Sequence, residues 1–304
     1  MRHPDQGMGS GRKTAQTASQ DALRNPAAEA PPGSGNGLAR SSLRPDQHTL
    51  HKALVDVASA RYLKSGGDRR DEHGEPGSPV RGSRFAYHFA RGKLGIDPLF
   101  IDLLRLGILP EQGSFLDLGC GQAVFAAWLL AARQAYEVGN WPTGWAPPPQ
   151  VQSLHGLELM PRDVARAQAA LADEPRVRIE LGDICKAAFE PVDVITIFDV
   201  LHYFGPAAQD DVLRRIRAAL RPGGLFVARV GDAAGGLRFA LSRWVDQIVT
   251  FVRGHGFSPM YCRPVEEWVQ SLRALGFDVQ TIRTEGGPPF ANTMLIARLP
   301  RGNT

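Results

Sequence analysis

Between His48 and Leu63 the apolar residues Leu50, Leu54, Val55, Val57, Ala58 and Leu63 keep approximate helical spacing, and GGDRRDEHGEPGSP then breaks it. A helix followed by a flexible loop is expected. Apolar and aromatic positions resume in RFAYHFARGKL, after which Asp97 and Pro98 supply an N-cap and a first-turn proline for a helix through about Leu106. From there strand and helix patterns alternate. Strands are expected at Ser114–Leu118, Leu154–Leu159, Val177–Gly182, Val192–Asp199 and Leu225–Val230, with helices at Gln122–Arg133, Pro161–Ala172 and Pro206–Leu220. The end of the chain changes character: a helix over Pro264–Leu275 precedes strands at Phe277–Arg283 and Asn292–Leu299 with no helix between them. Alternation implies right-handed crossovers and a parallel sheet covered on both faces, and the helix-free final pair should be antiparallel. The fold class is α/β.

Composition changes this picture mainly at the N-terminus. Residues 1–46 are rich in Gly, Ser, Pro, Ala and Gln with almost no large apolar residues, so a disordered tail is expected. The tail has no apolar stretch for secretion, and Asp5, Asp21 and Glu29 argue against a transit peptide. A helical lid segment over residues 47–96 and a domain over residues 97–304 complete the expected organisation. No run of about twenty apolar residues appears, so no membrane span is expected. Cys120, Cys185 and Cys262 form no Cys-x-x-Cys pair and have no regularly spaced histidine, which speaks against a zinc site or a disulfide framework and fits a cytoplasmic setting.

The formal net charge is +4, but residues 1–84 hold 13 Lys and Arg against 9 Asp and Glu, leaving 22 of each for residues 85–304. The body of the protein is formally neutral. A basic face that neutralises many phosphates is therefore not expected, and nor is a nucleic-acid partner.

The richest chemistry lies in FLDLGCGQAVF, Phe115 to Phe125, a strand that ends in an acid and two glycines and runs into a helix. Ligands of open parallel sheets sit at such turns. Gly119 and Gly121 are followed by Gln122, Ala123 and Val124, so the third glycine of a dinucleotide fingerprint is missing. Asp117 two residues before the turn suits a ligand carrying a positive amino group better than a pyrophosphate.

These residues resemble the first motif of the class I S-adenosylmethionine-dependent methyltransferases, and the likeness covers roughly residues 85–300. It implies a Rossmann-like, seven-stranded, mostly parallel sheet with an antiparallel last strand, and S-adenosyl-L-methionine as cofactor. Asp117, Gly119 and Gly121 match the turn around the methionine part of the cofactor. Glu158, with Leu159 after it, matches the acid that takes the ribose hydroxyls; Asp183 matches the acid that accepts from the adenine amino group, with Ile184 packing on the ring. FDVLHYF, which contains Asp199, matches the fourth motif, and LRPGGLFV the turn before the fifth strand. Ala123 departs from the family, which usually has glycine there.

The resemblance implies direct methyl transfer, for which a nucleophilic Cys120 is not needed. His202 would remove a proton from the acceptor or line the pocket, assisted by Asp199 and Tyr203. Tyr87 and His88 are lid candidates. The insert near residues 231–263 is expected to form a helical cap over the acceptor pocket, with Trp244 and Phe251 on one helical face and Arg238, Arg243, Arg253 and Arg263 available to an anionic acceptor or a phosphopantetheine arm.

The fourth motif is not of the Asn-Pro-Pro-Tyr or Asp-Pro-Pro-Tyr type, which favours an oxygen or carbon acceptor. AYHFARGKL, LDLGCGQ, DVLHYF, RVGDAAGG, RGHG and PPFAN together resemble methyltransferases of bacterial aryl-polyene and related aromatic-pigment clusters. That likeness implies a phenolic aryl acceptor in secondary-metabolite biosynthesis, free or held on an acyl carrier protein. An RNA methyltransferase and a non-catalytic cofactor-binding protein stand as alternatives.

Overall fold

The computed structural model describes residues 45–64, 82–231, 261–283 and 292–301. The expected disordered tail, the GGDRRDEHGEPGSP loop and nearly all of the cap insert, including Arg238, Arg243, Trp244, Phe251 and Arg253, lie outside the described residues.

Seven strands form one sheet: β1 Gln112–Leu118, β2 Gln150–Glu158, β3 Val177–Leu181, β4 Val192–Phe198, β5 Leu220–Gly231, β6 Asp278–Arg283 and β7 Asn292–Arg298. Their order is β3-β2-β1-β4-β5-β7-β6. The first five pair in parallel, while β7 lies antiparallel between β5 and β6. Strand order reverses between β1 and β4, so the cleft beyond their carboxyl ends is where such a sheet binds ligands. No helix among the described residues is long and apolar enough to cross a membrane.

Helices α1 Gln47–Ala60, α2 Arg84–Ile96, α3 Pro98–Arg105, α4 Val124–Glu137, α5 Pro161–Ala170, α6 Pro206–Ala219 and α7 Val265–Ala274 cover the sheet. Most begin where the sequence signals them. Asp97 caps α3, its side chain accepting from Leu99 N–H at 3.1 Å, and Pro98 follows at the first turn. The start of α4 differs from expectation: it begins at Val124 rather than Gln122, because Ala123 is left-handed at φ 56° and a helix cannot run through it.

Two buried clusters flank the sheet. On one face Leu50, Leu54 and Ala58 of α1 and Ala86, Ala90 and Leu94 of α2 pack with Phe115 and with Trp128 of α4. The His51 ring meets Trp128 edge-on at 5.7 Å. Residues 47–64 and 82–96 therefore share the core of the sheet itself. On the other face Val212 and Ile216 of α6 and Trp268 and Leu272 of α7 pack with Phe226, Ile195 and Leu295. The Trp-Pro stretch after α4 packs locally, with Trp141 Nε1 donating to Ala146 O at 3.0 Å.

Candidate active site

The glycine turn after β1 is held by β2: the N–H groups of Gly119 and Cys120 both donate to Leu157 O, at 2.8 and 3.1 Å. Gly119, Gly121 and Ala123 take φ of 72°, 57° and 56°. Glycine adopts this left-handed region freely, whereas alanine there carries strain on the order of 1 kcal/mol. At Gly119 any side chain is also excluded, since a β-carbon there falls 2.5 Å from Val200 Cγ2. At Gly121 such a carbon meets nothing within 4 Å, so this part of the turn faces open space.

Two acids flank the turn. Glu158 ends β2, is 9% exposed and accepts from two backbone amides, Gly121 N–H at 2.8 Å and Met160 N–H at 2.9 Å. Its carboxylate is thus fixed across the cleft, with lone pairs left over for hydroxyl donors. Asp117 is buried and accepts from the Thr196 hydroxyl at 2.7 Å. Burial pushes its carboxyl up to about 7, the Thr196 hydrogen bond opposing and the charge of Glu158 adding to the rise. A cationic amino group placed beside it would find an acid ready to ionise.

The adenine-side candidates lie at the ends of β2 and β3. Leu159 is 61% exposed and Ile184 is buried. Asp183 makes a local turn, its Oδ1 accepting from Cys185 N–H at 2.9 Å and its Oδ2 lying 3.2 Å from Lys186 Nζ. Cys120 is a packing residue in this arrangement: a β-carbon at Gly156 would fall 2.8 Å from its sulfur. Burial and the charges of Asp117 and Glu158 hold its thiol well above the usual range, so it stays protonated.

After β4 the chain turns through Asp199, left-handed at φ 60°, into a short 3-10 helix at Leu201–Tyr203. Gln209 Nε2 donates to Leu201 O and Tyr261 O at 3.0 and 2.8 Å, and Tyr261 N–H donates to His202 O at 2.8 Å, so the turn is tied to α6 and to the segment before α7. His202 and Trp268 line one small cavity with Arg229, and their Nε2 and Nε1 atoms are buried without a hydrogen-bond partner among the described residues. Burial holds the imidazole below its usual range against the opposing pull of Asp199. It is neutral at physiological pH. Tyr203 is 39% exposed, with its ring 4.2 Å from that of His202.

Asp199 itself is engaged by cations. Arg229 Nε donates to its Oδ1 at 2.6 Å, Arg229 Nη2 meets its Oδ2, and Lys93 Nζ lies 3.1 Å from Oδ2. Burial raises the Asp199 carboxyl, but Arg229 and Lys93 outweigh that and hold it well below the ordinary carboxylate range. Such a group is an anchor rather than a proton acceptor. The other candidates are dispersed: Tyr87 is half-buried and His88 exposed on α2, with rings 5.0 Å apart. Arg263 is occupied by Asp210 and Pro206 O, at 2.8 and 2.7 Å, and stacks over Trp268. Among the described residues no cluster of three or more His, Cys, Asp or Glu is placed to hold a metal ion.

A family model for the methyltransferase domain matches residues 116–226, the stretch from the middle of β1 into β5 that contains the glycine turn, both flanking acids and the turn after β4. By that match, residues 116–226 form a methyltransferase domain. The carboxy-S-adenosyl-L-methionine synthase of Chromohalobacter salexigens is 37% identical over 83 residues, 26% of this chain and 31% of that protein. The tetracenomycin polyketide synthesis 8-O-methyl transferase TcmO of Streptomyces glaucescens is 26% identical over 195 residues, 63% of this chain and 50% of that protein. The matched stretches of this chain thus span between 31% and 50% of the length of these curated relatives. A solved O-methyltransferase family protein from Burkholderia thailandensis shares the fold with a TM-score of 0.51 at 17% identity, over 72% of this chain and 60% of that one.

Within the methyltransferase domain, the residues present fit S-adenosyl-L-methionine. Gly121 leaves room at the turn, Glu158 is preset for paired hydroxyls and Asp117 for an ammonium. The residues that sequence reasoning missed are Lys93, Asp97 and Arg229. One signal was available: Arg229 interrupts the apolar run LFVARV, and a charge inside a buried strand requires partners.

Proposed function

We propose that this protein transfers the methyl group of S-adenosyl-L-methionine to a small-molecule acceptor, an oxygen or carbon nucleophile on a phenolic aryl ring. The observation that carries the reading is the Glu158 carboxylate bridging Gly121 N–H and Met160 N–H across the cleft at the strand-order reversal. Its oxygens are thereby oriented for a vicinal diol, and the buried, near-neutral Asp117 beside them favours a cation. When bound, the cofactor supplies an electrophilic methyl group on a sulfonium.

The chain's own residues then have three tasks. Asp117 and the glycine turn hold the amino acid end of the cofactor, and Glu158 and Leu159 hold the nucleoside. The turn after β4 bounds the space beside the reacting group and limits water. His202, neutral and therefore able to accept a proton, removes the acceptor's proton or orients the acceptor, with Tyr203 beside it. The fourth motif favours an oxygen or carbon acceptor, and oxygen is consistent with the relative named as an 8-O-methyl transferase. A carrier-protein-bound acceptor belongs to the same reading.

Titration calorimetry of S-adenosyl-L-methionine and S-adenosylhomocysteine into wild type and Glu158→Ala tests the cofactor assignment, with NAD as control. Micromolar binding of both ligands by wild type, lost in the variant and absent for NAD, is expected. Methyl uptake by phenolic acids or their carrier-protein thioesters then tests the acceptor class. A His202→Ala protein with unchanged kcat/KM at every pH would remove the proton-transfer role.

A further inference from the structure

Arg229 is buried at 3% side-chain exposure near the end of β5 and contacts two acids from distant parts of the chain. Besides Asp199, its Nη1 lies 2.6 Å from both oxygens of Asp97, at the junction of α2 and α3. Lys93 of α2 completes a closed ring, with Nζ at 2.9 Å from Asp97 Oδ2 and 3.1 Å from Asp199 Oδ2. Two cations and two anions alternate, so the ring is formally neutral and each acid faces both cations. Asp97 simultaneously caps α3.

What the ring holds is the left-handed Asp199, and the next residue, Val200, fills the space above Gly119 where a side chain would stand. A continuous contact path therefore runs from Arg229 through Asp199 and Val200 to the glycine turn. We infer that Arg229 is a positioning residue: by fixing Asp199 within the ring it sets the turn after β4, which in turn sets the glycine turn that receives the cofactor, and it ties the α2–α3 junction to both. Lysine in its place would be a point charge without the planar fork that engages two carboxylates at once. The inference rests on the cofactor reading above only for its effect on affinity.

The test compares wild type, Arg229→Lys, Arg229→Met and Lys93→Met. Lys93 is the more exposed of the two cations, at 32% side-chain exposure against 3% for Arg229, so its variant keeps the buried Arg229 pairs and should fold even where Arg229→Met does not. Amide hydrogen exchange on the cofactor-free proteins is expected to rise at least tenfold in residues 119–123 and 199–204, with β2, β3 and α7 unchanged. The order is expected to be Arg229→Met above Arg229→Lys above Lys93→Met. S-adenosylhomocysteine affinity is expected to fall about tenfold in Arg229→Lys.

Unchanged exchange at both turns in Arg229→Lys and Lys93→Met overturns the inference, and so does a uniform rise across the sheet, which would make the ring a general support only. If wild type fails to bind S-adenosylhomocysteine, the cofactor reading falls, and the exchange pattern still decides whether the path exists.

Discussion

Single residues decide how the glycine turn behaves. Ala123 stands left-handed and fully buried at the head of α4. Replacing it by glycine relieves about 1 kcal/mol of backbone strain and loses about 0.8 kcal/mol of methyl burial. Ala123→Gly should therefore leave the urea midpoint almost unmoved, whereas Ala126→Gly, at an ordinary helical position, should lower stability by about 2 kcal/mol. Asp117 offers a test by pH. Its folded-state value of about 7 exceeds the ordinary 3.8 of an aspartate, so the folded protein holds this proton more tightly than the unfolded chain. The resulting stability is fully present below about pH 4 and is lost as pH rises through 7. Asp117→Asn should consequently raise the melting temperature of the cofactor-free protein at pH 8 and not at pH 4. A cation bound beside Asp117 expels the proton, so S-adenosyl-L-methionine affinity should rise with pH up to about 7 and level off above it. Calorimetry in buffers of different ionisation enthalpy should show proton release below pH 7.

Elements outside the matched stretch contribute to the same turn. The short 3-10 helix Arg61–Leu63 follows α1 directly, and the buried Tyr62 hydroxyl donates to Gln122 O at 2.6 Å, inside the glycine turn. Arg61 and Lys64 pair with Asp173, and Arg61 with Glu174, beyond α5. Tyr62→Phe leaves a buried carbonyl unpaired and should cost about 1–3 kcal/mol, read as a shift in denaturant midpoint without a change in slope. The helices and strands were legible in the sequence because periodicity and caps are local: Asp97-Pro98 marks α3 and the glycine pair marks the turn after β1. The left-handed Ala123 was visible only as a departure from a family pattern. The charge ring was illegible, because Lys93 and Asp97 are separated from Asp199 and Arg229 by a hundred residues or more and only the folded sheet brings them together.

At the scale of the whole molecule, ligand binding should appear as added stability. S-adenosylhomocysteine at a hundredfold excess over its dissociation constant should add about 2.7 kcal/mol, a rise in melting temperature on the order of 5–10 °C. RNA should give no such rise, since residues 85–304 hold equal numbers of basic and acidic side chains. The strand order carries a further consequence for how the chain acquires its shape. β7 lies between β5 and β6, so β6 has no neighbour in the sheet until β7 has been made. During synthesis β6 leaves the ribosome before its partner β7 exists, and the edge of β5 that β7 covers stays open for the same interval. A chain interrupted just before Asn292 would therefore lose two strands rather than one, and would present to a chaperone, or to another nascent chain, an unclosed β edge.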